Sequence, residues 1–397
     1  MNFIALKMLL GDRPKYAGLL FGITFTAFLV TFAASYFAGL MTRSFALIAE
    51  NPLADIWVMD PAAVAVSETV NLPDAALNRV RSVAGVRSAV PLALAQTEVR
   101  FPNGRFQSVQ IIGVDDATLT GSPRPIGGGS ADILRFPGAV IADAGGTTGK
   151  LDSPTRRADQ WPWRTPHLAV PMRELASGDE LLVNDTRVQI VGRSESLPRY
   201  PPRPVFFTTL SQALRMLPWE RRRITFVLAS VAPGFSPRAV AEQIAKTTGL
   251  RARTAEDFKE DTVRWMLENS EDVGDVITML SIAMLVGFGV TGVMMFMFTN
   301  QNLKFYAVLN AMGTGARSLL AMVMVQSAVC GAIGAGLGLG LCALGGRIFE
   351  QYNFPFRMMW FAPAVGVVAV ILICVCAAAF SIRPVLRMQP TTFLAGR

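Results

Sequence analysis

Four long runs without a charged residue constrain this 397-residue chain more than any other feature of its sequence. They cover residues 17–41, 276–303, 318–346 and 358–382. A helix needs about 20 apolar residues to cross a bilayer, and each run is longer than that. Composition agrees, because only 17% of the residues are charged, against roughly 25% in an average soluble domain. We therefore predict an α-helical membrane protein with four transmembrane helices.

The predicted spans leave one large insert between the first and second helices. A signal peptide is the alternative for the first run, but a signal peptide's apolar region is usually about 7–15 residues and no A-x-A cleavage site follows here. The predicted segments are an N-terminal segment (1–15), TM1 (16–41), the insert (42–275), TM2 (276–298), a loop (299–318), TM3 (319–346), a short loop (347–360), TM4 (361–382) and a C-terminal tail (383–397).

Basic residues outside the insert indicate its orientation. They concentrate in the N-terminal segment, the 299–318 loop and the C-terminal tail, where only Asp12 opposes them. The residues are Lys7, Arg13, Lys15, Lys304, Arg317, Arg383, Arg387 and Arg397. The positive-inside rule places these three segments, and so both termini, in the cytoplasm. The insert and the 347–360 loop then face the periplasm or the cell exterior. The excess of basic residues is thus a topology signal rather than a nucleic-acid site.

The insert has the pattern of a mixed α+β domain. Hairpins are predicted around Asn103-Gly104 and Asn184-Asp185, since these dipeptides tolerate the positive φ of a tight turn. Residues 255–298 are predicted to form one long helix that continues into TM2, with two helices broken near Gly274 as the alternative. Further strands are predicted at 55–59, 224–231 and 250–254, helices at 73–83, 210–216 and 236–248, and an irregular Gly- and Pro-rich region at 121–166.

No pattern in the chain indicates catalysis, a cofactor or a metal. His167 is the single histidine, and we find no nucleophile beside a base and no metal-ligand spacing. The four cysteines lie in apolar stretches, at Cys330, Cys342, Cys374 and Cys376. The spans lack the ionisable groups that ion-coupled transporters normally carry. We therefore predict no catalytic, cofactor-binding or metal-binding residue.

Glycines in the third predicted span indicate close helix packing. Gly334-x-x-x-Gly338 and Gly336-x-x-x-Gly340 repeat small residues at the spacing that lets two helices approach closely. The spacing does not show whether the partner helix lies in the same chain or in a second copy of it.

Residues 300–320, NQNLKFYAVLNAMGTGARSLL, carry the most specific resemblance in the chain. The stretch from Phe305 to Gly313 resembles the hallmark loop of the FtsX-like permeases, the membrane subunits of MacB-type ABC transporters. The tail Arg383-Pro-Val-Leu-Arg-Met-Gln-Pro390, with Leu394 after it, resembles the tail of that family, in which arginines precede an x-P-x-x-x-L pattern. Residues 54–60 and 113–115 resemble its DevC branch. The one-plus-three order of the predicted spans also resembles the family.

The resemblance implies the permease subunit of an ABC exporter in the bacterial inner membrane. Two permeases and two ATPases would form the core, so the chain would be a homodimer. ATP would bind to a separate ATPase, since no ATPase domain is fused here, and its closure would move the external domains. A periplasmic adaptor and an outer-membrane channel would complete the exporter. The alternatives are an FtsX-like signalling scaffold that regulates cell-wall hydrolases and a membrane-anchored enzyme that uses the insert.

The resemblance also implies that residues 303–312 form a helix that couples the permease to the ATPase. Its spacing gives two faces, and the sequence does not assign one to the ATPase and the other to the membrane. The first face holds Leu303, Tyr306, Ala307 and Asn310, and the second holds Phe305, Val308, Leu309 and Met312. Gly313 and Gly315 are expected to end the helix, because glycine adopts the left-handed C-cap conformation cheaply.

Overall fold

The computed structural model of the chain describes residues 13–123, 129–155 and 170–381. Two compact units are formed, a membrane unit within Met1–Leu40 and Glu271–Arg397 and an insert unit within Met41–Ser270. The described α-helices are α1 (Arg13–Ser44), α2 (Ala46–Ala49), α3 (Ala76–Arg81), α4 (Leu210–Met216), α5 (Pro237–Thr248), α6 (Ala255–Asn269), α7 (Glu271–Gln301), α8 (Leu303–Ala311), α9 (Ala316–Gln351) and α10 (Phe361–Ser381).

Four helices are long and apolar enough to cross a membrane. They are Tyr16–Ser44, Glu271–Gln301, Arg317–Gln351 and Phe361–Ser381, with mean hydropathies of 2.0, 2.1, 1.9 and 2.7. Many of their large apolar side chains are exposed, such as Leu285 and Leu344, which suits a surface that faces lipid. The predicted fold class is confirmed, because four apolar helices are present and a mixed domain separates the first from the second.

The membrane unit has its own buried core. Leu19 and Ile23 of α1 pack in it with Phe298 of α7, Met322 of α9 and Ala377 of α10. Because lipid is as apolar as these side chains, close contact rather than hydrophobic burial holds such helices together. The packing at the glycines described below is therefore central to this unit.

The insert unit is built on one nine-stranded sheet. The strands are β1 (Ile56–Met59), β2 (Val86–Arg100), β3 (Phe106–Val114), β4 (Ala139–Asp143), β5 (Ser153–Pro154), β6 (Met172–Arg173), β7 (Glu180–Val183), β8 (Thr186–Ser194), β9 (Val205–Thr209), β10 (Phe226–Val231) and β11 (Arg251–Thr254). Their order is β11-β1-β10-β2-β3-β9-β4-β8-β7, and β5 pairs separately with β6. Since β7 also pairs with β2, six strands close into a ring, in the order β2, β3, β9, β4, β8 and β7.

The long strand β2 belongs to both halves of this sheet. Residues 86–92 pair with β10 in the open half, and residues 93–100 pair with β3 in the ring. Helices α3 and α5 pack on one face of the open half through Val80 and Ile244. On the other face of the open half, Trp57 and Phe226 meet with ring centroids 5.4 Å apart and pack with Phe258 of α6. The open half of the sheet therefore has a buried apolar core on each face.

The structure confirms both predicted hairpins of the insert. Gly104 has φ +83°, and Asn184 and Asp185 have φ 44° and 61°, the positive values that such turns require. The prediction of an irregular region at 121–166 is wrong for β4, which is fully buried and lies between β8 and β9. A strand buried on both faces shows no polar alternation, so its pattern resembles any short apolar run. His167 lies outside the described residues.

The predicted continuous helix over 255–298 is also wrong. Helix α6 ends at Asn269, Ser270 has extended backbone with φ −90° and ψ 128°, and α7 begins at Glu271. Serine is a preferred residue at the start of a helix. Glu271 and Asp272 in the first turn interact favourably with the positive end of the helix dipole. The local sequence therefore favours a new helix at this point, four residues before Gly274.

Candidate coupling helix and helix-packing site

Helix α8 connects α7 to α9 and starts at a single asparagine. The backbone N–H of Asn302 and its side-chain Nδ2 both donate to the carbonyl of Phe298, at 3.2 and 2.8 Å. The carbonyl of Asn302 accepts from the N–H groups of Phe305 and Tyr306. Asn302 therefore ends one helix and starts the next, so the chain turns within one residue.

Gly313 ends α8 with a left-handed conformation, φ +91°. The N–H of Thr314 donates to the carbonyl of Leu309 at 3.1 Å, the six-residue bond of a Schellman motif. Gly315 does not share this role, because its φ of −66° and ψ of 155° are extended and it precedes the first residue of α9. The expectation that Gly315 adopts a left-handed C-cap is therefore wrong.

One side of α8 is buried in the core of the membrane unit. Tyr306 is 0% exposed and Ala307 is 3% exposed. The Oη of Tyr306 donates to Oε1 of Gln326 on α9 at 3.2 Å, and Gln326 is itself fully buried. Burial raises the pKa of Tyr306 to about 12, so its hydroxyl stays neutral and remains a donor. Leu303 and Leu309 are partly buried against the same core.

The other side of α8 is apolar and exposed. Phe305 is 62% exposed, Val308 is 48% exposed and Met312, just after the helix, is 71% exposed. The structure thus distinguishes the two predicted faces, since Tyr306 and Ala307 of the first face point inward. The side chain of Asn310 lies outside the described residues. Of the nine predicted coupling residues, the three exposed apolar ones are available to a partner, and Leu309 is partly buried.

Two of the four predicted packing glycines lie at a helix contact within the chain. A Cβ at Gly334 would lie 2.6 Å from Cγ2 of Ile23, and a Cβ at Gly338 would lie 2.6 Å from the Cβ of Ala27. Gly336 and Gly340 face no atom within 4 Å among the described residues. The i, i+4 pair formed by Gly334 and Gly338 therefore carries the close contact of α9 with α1.

Glycines on α7 and α10 also allow close contacts with α1, and no sequence repeat marks them. A Cβ at Gly287 would overlap Thr26, and a Cβ at Gly366 would overlap Thr31. Neither glycine belongs to a GxxxG repeat, so the apolar residues around each one are the single sequence signal that could indicate a packing position. Within residues 13–123, 129–155 and 170–381, no group of three or more His, Cys, Asp or Glu could hold a metal.

Comparison with known proteins identifies the part of the membrane unit that holds its last three apolar helices. Residues 277–390 match the family model of the FtsX-like permease C-terminal domain, which confirms the resemblance found in the sequence. The periplasmic region of MacB from Actinobacillus actinomycetemcomitans aligns over 56% of this chain and 96% of its own, at 10% identity and a TM-score of 0.35. The extracellular domain of the ABC-type transporter YknZ from Gram-positive bacteria aligns over 51% and 99%, at 10% identity and a TM-score of 0.32. No curated protein matches the sequence.

Proposed function

We propose that this multi-pass membrane protein, with its FtsX-like permease C-terminal domain at residues 277–390, is the permease subunit of an ABC exporter. It would couple ATP hydrolysis on a separate ATPase subunit to movement of the insert, rather than conduct a substrate between its spans. In this proposal the ATPase binds the nucleotide, and the chain itself performs no catalysis and holds no cofactor.

The observation that carries the proposal is that α8 is buried on one side and exposed on the other. Its inner side is fixed to the spans by Tyr306 and Ala307, while Phe305, Val308 and Met312 remain exposed. Exposed apolar residues that cluster in this way are typical of a partner contact. An ATPase that pushes on the outer side would displace the spans, because the buried inner side packs in one core with residues of α7 and α9.

The proposed setting follows from charge and from the family. The basic residues of the 299–318 loop and of both tails favour a cytoplasmic α8 and cytoplasmic termini, which would put the insert in the periplasm. The family resemblance favours the bacterial inner membrane. The proposed assembly is a homodimer with two ATPases, a periplasmic adaptor and an outer-membrane channel. Gly336 and Gly340 face no described atom of this chain, which leaves that side of α9 open to lipid or to a second copy.

Co-purification tests the proposal. Tagged full-length protein should retain an ABC ATPase, and Phe305→Asp or Val308→Asp should release it, because a charge would replace an apolar contact. Phe235→Asp is the matched control, since Phe235 is 54% exposed on the insert and should leave the ATPase bound. Retention of the ATPase and of its stimulated activity by both α8 variants would show that this helix is not the coupling element.

A further inference from the structure

A cavity of about 410 Å³ in the insert unit is unusually rich in arginine. Arg43, Arg199, Arg203 and Arg221 line it, and Glu68 is the one carboxylate among its lining residues. These residues come from distant parts of the sequence, so the fold itself brings the four positive charges together. A cluster of like charges costs free energy through mutual repulsion, which an anion in the cavity would relieve.

Arg199 is held rigidly at the wall of this cavity. Its Nη2 lies 2.6 Å from Oε2 of Glu50, and its guanidinium lies 5.8 Å from the ring centre of Phe207. The side chain is only 8% exposed, and its buried Nε has no hydrogen-bond partner among the described residues. Burial lowers the pKa of Arg199 and raises that of Glu50. Glu50 therefore holds Arg199 in place and compensates its charge from outside the cavity.

Two further arginines leave the cavity with a surplus of positive charge. Glu50 compensates Arg199 and does not line the cavity, so Glu68 is the one lining carboxylate against Arg203 and Arg221. Neither Arg203 nor Arg221 makes an ion pair in the part of the chain that the structure describes. Hydroxyl and amide groups complete the polar lining at Ser44, Ser67, Thr69, Gln96 and Gln110.

We infer that this cavity binds a phosphate group, carried either by a soluble small molecule or by a lipid headgroup. Guanidinium groups match the geometry of phosphate and donate to it in pairs. The volume lies in the range of about 300–1,000 Å³ that is usual for small-molecule sites. Arg43 lies in the last turn of α1, two residues after the predicted first span, so a lipid headgroup is tested beside dissolved phosphate. The inference does not depend on the proposed coupling to an ATPase.

Binding by the full-length protein in neutral maltoside micelles tests the inference. One arm measures radiolabelled inorganic phosphate by equilibrium dialysis, and the other measures phosphatidylglycerol against diacylglycerol, which lacks the phosphate, by native mass spectrometry. Arg203→Gln and Arg221→Gln should each weaken binding about tenfold or more, since each variant loses a charge-assisted hydrogen bond to the phosphate. Arg223→Gln is the matched control, because Arg223 is exposed two residues away but does not line the cavity.

Glu68→Gln supplies a change in the opposite direction that a folding defect cannot imitate. Removal of the lone lining carboxylate should tighten binding about threefold or more, because a repulsive charge is lost. Saturable binding of either probe with this pattern of variants supports the inference, and the arm that responds identifies the source of the phosphate. Absence of saturable binding in both arms would overturn it, as would equal effects of Arg203→Gln, Arg221→Gln and Arg223→Gln.

Discussion

Alanine at Gly338 should destabilise the membrane unit, whereas alanine at Gly340 should not. A Cβ at Gly338 would lie 2.6 Å from the carbonyl oxygen of Thr24 and 2.9 Å from the backbone nitrogen of Phe28. Backbone atoms of α1 cannot move aside as a flexible side chain can, so the two helices would have to separate. Overpacking of this kind costs about 1–3 kcal/mol. At Gly340 nothing described lies within 4 Å, and alanine instead gains up to about 1 kcal/mol in helix propensity.

Both variants gain the same helix propensity, so they should differ by the overpacking cost alone, about 1–3 kcal/mol in the free energy of unfolding. Full-length protein in maltoside micelles would be titrated with sodium dodecyl sulfate, and unfolding would be followed by circular dichroism. Gly334→Ala and Gly336→Ala form a second pair with the same expected order. Equal destabilisation by Gly338→Ala and Gly340→Ala would refute the assignment of the close contact to one side of α9.

Three further predictions concern topology, acid stability and the inner side of α8. In a background without the four native cysteines, an impermeant thiol reagent added to intact spheroplasts should label a single cysteine at Lys150 but not one at Asn310; the reverse pattern would contradict the orientation. Burial raises the pKa of Asp261, but hydrogen bonds from Arg253 and Arg251 outweigh it and hold that pKa below its usual value. The stability from this group should therefore be present above about pH 4, the unfolded value, and be lost as the pH falls through the lowered pKa. The melting temperature should fall less between pH 5 and pH 3 in Asp261→Asn than in wild type. An equal fall would show that Asp261 does not contribute to this pH dependence. Ala307→Asp should destabilise the membrane unit by several kcal/mol because it buries an unpaired charge, while Val308→Asp should leave detergent unfolding nearly unchanged; equal unfolding curves would contradict the observed burial.

The sequence predicted those features that depend on short stretches of chain. Charge-free runs locate the spans, because a bilayer imposes length and polarity on each helix separately. Asn103-Gly104 locates a hairpin because the turn needs positive φ at Gly104. Ser270 with the acids that follow is also a local signal, and the long helix was predicted only because no proline interrupts it.

Features that depend on residues distant in sequence were not predictable in this way. Both faces of α8 are mostly apolar, so their spacing could not show that Tyr306 donates a hydrogen bond to Gln326. Gly334 and Gly336 begin identical repeats, and only the position of α1 distinguishes them. The arginines of the cavity lie more than 150 residues apart at the extremes, Arg43 and Arg221. Each of these features is set by tertiary packing, on which local periodicity carries no information.

Site-specific photocrosslinking from α8 tests the central claim most directly. Benzoylphenylalanine would replace Phe305 on the outer side of α8, with Leu344 as the control because it is 64% exposed on a membrane-spanning helix. Irradiated native membranes would be analysed for crosslinked protein by mass spectrometry. The account predicts an ABC ATPase crosslinked at position 305 and none at position 344. Crosslinks from position 305 to lipid alone, with no ATPase, would contradict the claim that this side of α8 is the coupling surface.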